Sequence, residues 1–171
     1  KAVADDLTAR FGKKVVVESY FPRTLTQIYE TFEGIAKAVN APAQGHDRTQ
    51  RIQAQLMNWA DNFYERMKNK KVSFICSIKP LQLAGWWIPD MIRLCSAQPQ
   101  NAKSGEPPVR IEWPDLIAFN PDVIVVAPEG ETLQESMAHF KVLEKSPGWE
   151  EIIAVKRGQV ALLLMGTLAV G

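Results

Sequence analysis

Lys70–Cys95 reads KKVSFICSIKPLQLAGWWIPDMIRLC, and Arg110–Pro128 reads RIEWPDLIAFNPDVIVVAP. In the first stretch a β-branched strand, Val72–Cys76, runs into a Gly85-Trp86-Trp87 turn. A helix follows with Pro89 in its first turn and ends near Cys95. In the second stretch Pro114 opens a short helix to Phe119. Asn120-Pro121-Asp122 breaks it, and Val123–Ala127 is a fully apolar strand. Strand, helix, helix and strand in that order place two strand-to-helix loops on one edge of a mostly parallel sheet. In open α/β sheets that edge is where ligands bind.

The pattern continues downstream. Thr132 or Glu131 starts a helix to about Lys145, Pro147-Gly148-Trp149 turns the chain, and Val160–Leu164 is a last strand. The loop Ser96–Pro108 between the two quoted stretches is rich in Pro, Gly, Asn and Lys. Upstream, Asp47 caps a long helix to about Asn69, with Ile52, Leu56, Trp59, Phe63 and Met67 as one apolar stripe. It has no internal Gly or Pro over that span, so it is expected to be stiff. It reads either as a strut joining two lobes or as an ordinary long surface helix. Thr24-Leu-Thr-Gln27 is a capping box that opens a helix to about Val39, with Leu25, Ile28, Phe32, Ile35 and Val39 inward. Asn40–Gly45 reads as a loop. Val15–Val17 reads as a short buried strand. Residues 2–11 read as the tail of a helix, with Val3, Leu7 and Phe11 on one face and Gly12 as the stop.

The expected fold class is α/β: a parallel-sheet, three-layer lobe joined by a long helix to the remnant of a second α/β lobe. Both ends read as cut from something larger.

Bulk properties exclude some classes. The chain has 171 residues, 46% of them hydrophobic and 23% charged, with a formal net charge of +1. That balance makes no case for a nucleic-acid partner. No apolar run approaches the ~20 residues of a membrane helix, so direct membrane insertion is not expected. The chain has two cysteines, Cys76 and Cys95. They read as buried thiols rather than a disulfide scaffold, and His46 and His139 lie too far away in sequence to complete a zinc site.

Enzyme chemistry finds little support. There is no G-x-S-x-G, Walker loop, GxGxxG or H-E-x-x-H. Ser73 and Ser77 have no evident base, and Glu129 with Glu131 would form a carboxylate pair only through loop geometry. The expectation is a protein that is not an enzyme, with no catalytic residue, no metal site and no required cofactor. A small α/β hydrolase or a degenerate interaction domain remain as rivals.

Binding chemistry is better represented. Adjacent tryptophans point different ways, so one of Trp86 and Trp87 is expected to expose an apolar face suited to a flat ligand. The alternative is that both are core or lobe-interface aromatics. Pro80, Leu81 and Leu83 would extend the apolar wall of the same loop. Glu129, Gly130 and Glu131 follow a strand, where they either cap the next helix or accept hydrogen bonds from a ligand. Trp113 either staples the start of its helix or forms a second side of the cleft.

The run from Val15 to Val160 resembles substrate-binding proteins of ABC importers that have a rigid interlobe helix. The pieces that carry the likeness are Pro22-Arg-Thr-Leu25, the strut 47–69, Leu83-Ala-Gly-Trp-Trp-Ile-Pro-Asp90, and Trp113–Pro128. Pro147-Gly-Trp-Glu150 and Ala154–Val160 continue it. The nearest likeness is to the cobalamin (vitamin B12) branch, whose relatives also bind ferric siderophores and haem. The resemblance implies two α/β lobes flanking the strut with the ligand between them: residues 1–45 would be the end of the N-terminal lobe, 46–70 the interlobe helix and 71–171 the C-terminal lobe, with 72–165 most of that lobe. It implies a periplasmic or extracytoplasmic location, a corrinoid ligand and an ABC permease as partner. The ligand contacts it points to are Trp86, Trp87, Pro80, Leu81, Glu129, Gly130 and Glu131. A ferric-siderophore or haem carrier should instead turn basic residues to the cleft, and Lys79 and Arg110 are the ones placed for that. The family tends to carry a glutamate just after the Trp113 position, on the surface that meets the transporter. Here Pro114 stands there, flanked by Glu112 and Asp115, the two docking candidates. The family's last strand is usually followed by polar and aromatic ligand contacts, which Met165–Val170 does not supply.

Overall fold

A computed structural model describes residues 2–101, 103–128 and 132–163. Helix α1 spans Ala2–Phe11 and ends at Gly12, whose φ of +63° and N–H bond to the Thr8 carbonyl make it a left-handed stop. Helix α2 is Leu25–Ala38. Thr24 caps it by accepting from the Gln27 N–H at 3.2 Å, while Gln27 Oε1 accepts from Arg23 N–H at 2.8 Å, one residue before the expected partner.

Helix α3, Pro42–Met67, has 26 residues and is about 39 Å long at ~1.5 Å per residue. It begins five residues before the expected cap Asp47, which instead lies inside the helix and pairs with Arg51 at 3.0 Å. Two local facts explain the shift. Pro42 occupies the first turn, where its fixed φ suits helix initiation. Gly45 lies against Ala36, where a Cβ would collide with the alanine methyl, so α2 and α3 cross at close range. The expected loop 40–45 thus shrinks to the turn around Asn40.

Of the ten residues expected inward on α2 and α3, Leu25, Ile28, Ile52, Leu56 and Met67 are half-buried and the other five are exposed. Phe32, Ile35 and Val39 are exposed, as are Trp59 and Phe63, while Ala36, Thr49 and Ala60 are buried. α2 and α3 pack on each other through their small residues, and among the described residues no sheet covers their larger apolar ones. The strand expected at Val15–Val17 is not formed either. Val16 and Val17 are exposed, and the segment pairs with no described strand. A β-branched run needs a partner ladder to become a strand.

The lobe that follows is α/β. Strand β1 (Lys71–Ile78) pairs parallel with β5 (Val123–Val126), which pairs parallel with β6 (Val160–Leu162). On its other edge β1 takes β3 (Gln98–Pro99) in parallel and β2 (Leu81–Leu83) antiparallel, and β2 takes β4 (Val109–Arg110) antiparallel. The sheet is therefore mixed, with an antiparallel hairpin at one side that the sequence pattern did not separate from the loops. Between strands run α4 (Ile88–Leu94), α5 (Trp113–Phe119), α6 (Leu133–Glu144) and α7 (Ile153–Lys156). Thr132 caps α6 in a mutual box with Glu135. The last strand is described to Leu162, and Leu164–Gly171 lie outside the described residues.

One sheet face carries the core: Ile75, Ile124 and Val126 under Leu116 of α5, Leu143 of α6, Trp149 and Ile152. A bulge between Ile75 and Ser77 shifts the register by one, so Ile78 joins Ile75 on that face opposite Leu81 and Leu83. Without the bulge, alternation would turn Ile78 the other way. Ser73, on the α5 side, is satisfied by Gln100 at 2.6 Å, and Gln100 in turn donates to the Asp115 carbonyl. Cys76 and Cys95 form no disulfide; of the two expected buried thiols, Cys76 is buried and Cys95 is half-buried.

Candidate functional site

The carboxyl end of β5 meets the Trp86–Trp87 turn. Phe74, Cys76, Ala84, Gly85, Trp86, Trp87, Ile88, Pro108 and Ala127 enclose a hollow of about 50 Å³, too small for more than a water or two. The two indoles are half-buried, and above them opens a larger cleft of about 330 Å³. One wall is Trp86 and Trp87. The other is Phe21, Pro22 and Arg23, from the segment just before α2. Such a volume is at the low end for small-molecule sites.

The geometry of the tryptophan wall is fixed by backbone. Trp86 sits at φ +54°, a left-handed conformation rare for a bulky residue. It is held there by its own N–H donating to the Glu106 carbonyl at 2.7 Å, and by Gly105 N–H donating back to its carbonyl at 3.0 Å. Gly85 makes this close pairing possible, because a Cβ at 85 would run into the backbone of Glu106 and Pro107. Strain held in place by surrounding bonds is a feature of binding sites.

The two walls are joined. The Leu25 N–H, at the start of α2, donates to Asp90 Oδ2 of α4 at 3.1 Å. The Arg23 guanidinium lies 5.4 Å from the centroid of the Trp86 ring, a cation–π contact. The sequence reading singled out Trp86 and Trp87 but not Phe21, Pro22 or Arg23. The available signal was an aromatic-proline-arginine run placed directly before a capped helix.

The other expected contacts fall elsewhere. Pro80, in the Lys79–Pro80 turn between β1 and β2, and Leu81, the first residue of β2, line a separate notch of about 230 Å³ with Ile78, Trp113 and Leu143. Leu81 also packs on the core. Lys79 and Arg110, expected to face the cleft, line this same notch, because the hairpin carries them away from the Trp86 turn. Glu129, Gly130 and Glu131 lie outside the described residues. Trp113 is neither cleft wall nor simple staple. Its Nε1–H donates to the Pro147 carbonyl at 2.7 Å, and its ring stacks on buried Trp149 with centroids 6.2 Å apart. Asp115 accepts from the Glu112 N–H at 2.9 Å, capping α5, and Glu112 is exposed with its carboxylate 3.4 Å from Arg110.

Another hollow, about 430 Å³, lies at the opposite, amino end of the strands among Phe63, Arg66, Lys70, Asp122 and Arg157. It is where the long helix joins the sheet. Asp122 accepts from Lys71 N–H at 3.0 Å and pairs with Lys70 at 3.5 Å and Arg157 at 3.3 Å. Burial pulls its pKa up, but that backbone bond and the two cations outweigh it and hold the carboxyl below the usual carboxylate value. Arg66, Lys70 and Arg157 line it against the single carboxylate of Asp122, but it lies at the amino ends of the strands, whereas in open α/β sheets ligands bind at the carboxyl ends, so the two-walled cleft is the better ligand site.

No protein-family model matches the chain, and no curated protein matches it. Solved structures do. A "possible" iron-binding (periplasmic solute-binding) protein from Staphylococcus epidermidis superposes with a TM-score of 0.75 at 19% identity, covering 95% of this chain and 61% of that one. S. aureus IsdE, solved with heme, gives 0.69 at 19% identity, covering 94% and 64%. The vitamin B12 binding protein BtuF of Vibrio cholerae gives 0.64 at 17% identity, covering 95% and 60%. The chain thus spans about three-fifths of the length of these structures. At such identities the likeness speaks of architecture, and on it the chain has the fold of the periplasmic solute-binding proteins.

Proposed function

We propose that this chain belongs to a solute-binding protein of an ABC importer. It holds a large, conjugated or metal-chelating organic ligand in the cleft between Phe21–Arg23 and Trp86–Trp87, and hands it to a membrane permease outside the cytoplasm. The observation that carries this reading is the cleft itself: two walls from distant parts of the chain, one of them paired indoles in a strained, backbone-locked turn. Indole faces suit flat ligands, and a wall fixed by hydrogen bonds avoids ordering cost on binding.

Cobalamin or another corrinoid is the ligand named by the resemblance of Leu83–Asp90 and Trp113–Pro128 to the B12 branch. Haem or a ferric siderophore is favoured by a different observation, the guanidinium of Arg23 in the cleft. Both kinds of ligand bind without chemistry. Exposed Glu112, beside the α5 cap made by Asp115, is the surface group proposed to meet the permease. The test is tryptophan fluorescence of the purified chain titrated with cyanocobalamin, haemin and a ferric siderophore. Saturable quenching by one of them is expected. No quenching and no heat with any of the three would refute the reading.

A further inference from the structure

The geometry points to Arg23 as the residue that sets ligand charge: the cleft takes an anionic ligand, one carrying carboxylates or an anionic metal chelate, in preference to a neutral one. The inference rests on the binding function proposed above and narrows its ligand class.

Among the described residues that line the cleft, Arg23 is the one charged group; Phe21, Pro22, Trp86 and Trp87 supply apolar and aromatic surface. Among the described residues the guanidinium has no counter-ion within ion-pair range. Asp90 of α4, which ties α2 to this turn, is already committed: one oxygen accepts from the Leu25 N–H at 3.1 Å and the other faces Arg93 at 3.7 Å. The positive charge is therefore left for whatever enters.

It is also positioned. The Arg23 backbone N–H donates to Gln27 Oε1 at 2.8 Å, which fixes the chain there, and the guanidinium carbon lies 5.4 Å from the Trp86 ring centroid. A guanidinium held beside an indole by a cation–π contact keeps the N–H fork that can meet a carboxylate with two parallel bonds. A flat ligand leaning on the indoles would bring a peripheral carboxylate to that fork. A ligand rimmed by neutral amides gains no charge-assisted bond there, yet still desolvates the guanidinium.

Matched probes separate charge from shape. Haemin and its dimethyl ester share one macrocycle and differ in two carboxylates. A ferric tris-catecholate and ferrichrome are an anionic and a neutral ferric chelate. Cyanocobalamin is a neutral corrinoid. Each is titrated against the wild-type chain and R23Q by tryptophan quenching and calorimetry. In wild type at least one anionic member is expected to bind about tenfold or more tighter than its neutral partner, and R23Q to shrink that ratio to within about twofold. R23K, which keeps charge but loses the fork, should fall between. Preference for a neutral probe, or an anion preference that survives R23Q, would overturn the role of Arg23 while leaving the binding function standing. Failure of all five probes to bind would remove both.

Discussion

Replacing Gly85 with alanine tests the device that presents the tryptophan wall. The added methyl would meet the Glu106 carbonyl oxygen and the Pro107 carbonyl group, all backbone atoms that cannot swing aside as a side chain would. Either the methyl stays compressed, costing about 1–3 kcal/mol as overpacking usually does, or residues 105–107 retreat. Retreat gives up the two bonds that lock Trp86, at 2.7 and 3.0 Å, each worth about 1 kcal/mol net. Against this, Gly→Ala restricts the unfolded chain and returns about 0.4–1 kcal/mol. The balance is a loss of about 1–2 kcal/mol, or a fall of roughly 2–8 °C in Tm for a chain of this size. Circular dichroism melts of wild type and G85A measure it. A Tm unchanged or raised would mean that the 105–107 segment yields freely and that the bonds do not fix Trp86.

Two further outcomes follow from other parts of the molecule. Asp122 has its carboxyl pKa lowered in the fold, so its stabilisation is present above the unfolded value near ~4 and is lost as pH falls through the folded value. D122N should therefore be less stable than wild type near neutrality, and urea titrations across pH should show the gap closing below about pH 4; a gap independent of pH would contradict the assignment. Glu112 is exposed, lies outside the cleft lining and is the group proposed to meet the permease. E112Q should leave ligand quenching intact while lowering uptake in a reconstituted transport assay, and loss of both together would move Glu112 out of that role.

What the sequence made legible was local. The strands Val72–Cys76 and Val123–Ala127 stand out as apolar runs, and their positions agree with β1 and β5 within a few residues. Thr24, Thr132 and Gly12 mark helix ends because capping and left-handed stops depend only on near neighbours. What it hid depended on distant partners. Val15–Val17 has the composition of a strand but finds no ladder. Gly45 looks like a loop residue until Ala36 is seen against it. Pro80 and Leu81 are near Trp86 in sequence, yet the β1–β2 hairpin takes them to another notch. Arg23 became a site residue only when the fold brought it over an indole remote in sequence. The tandem tryptophans were readable as a candidate wall; the wall that faces them was not.

Ligand is proposed to sit between Phe21–Arg23 and Trp86–Trp87. Hydrogen exchange of the chain with and without saturating haemin or cyanocobalamin tests this placement. Slowed exchange is expected in two separate peptides, one covering residues 19–25 and one covering 84–90. Protection confined to the Lys79–Leu81 and Arg110–Trp113 notch, or spread over neither wall, would contradict it.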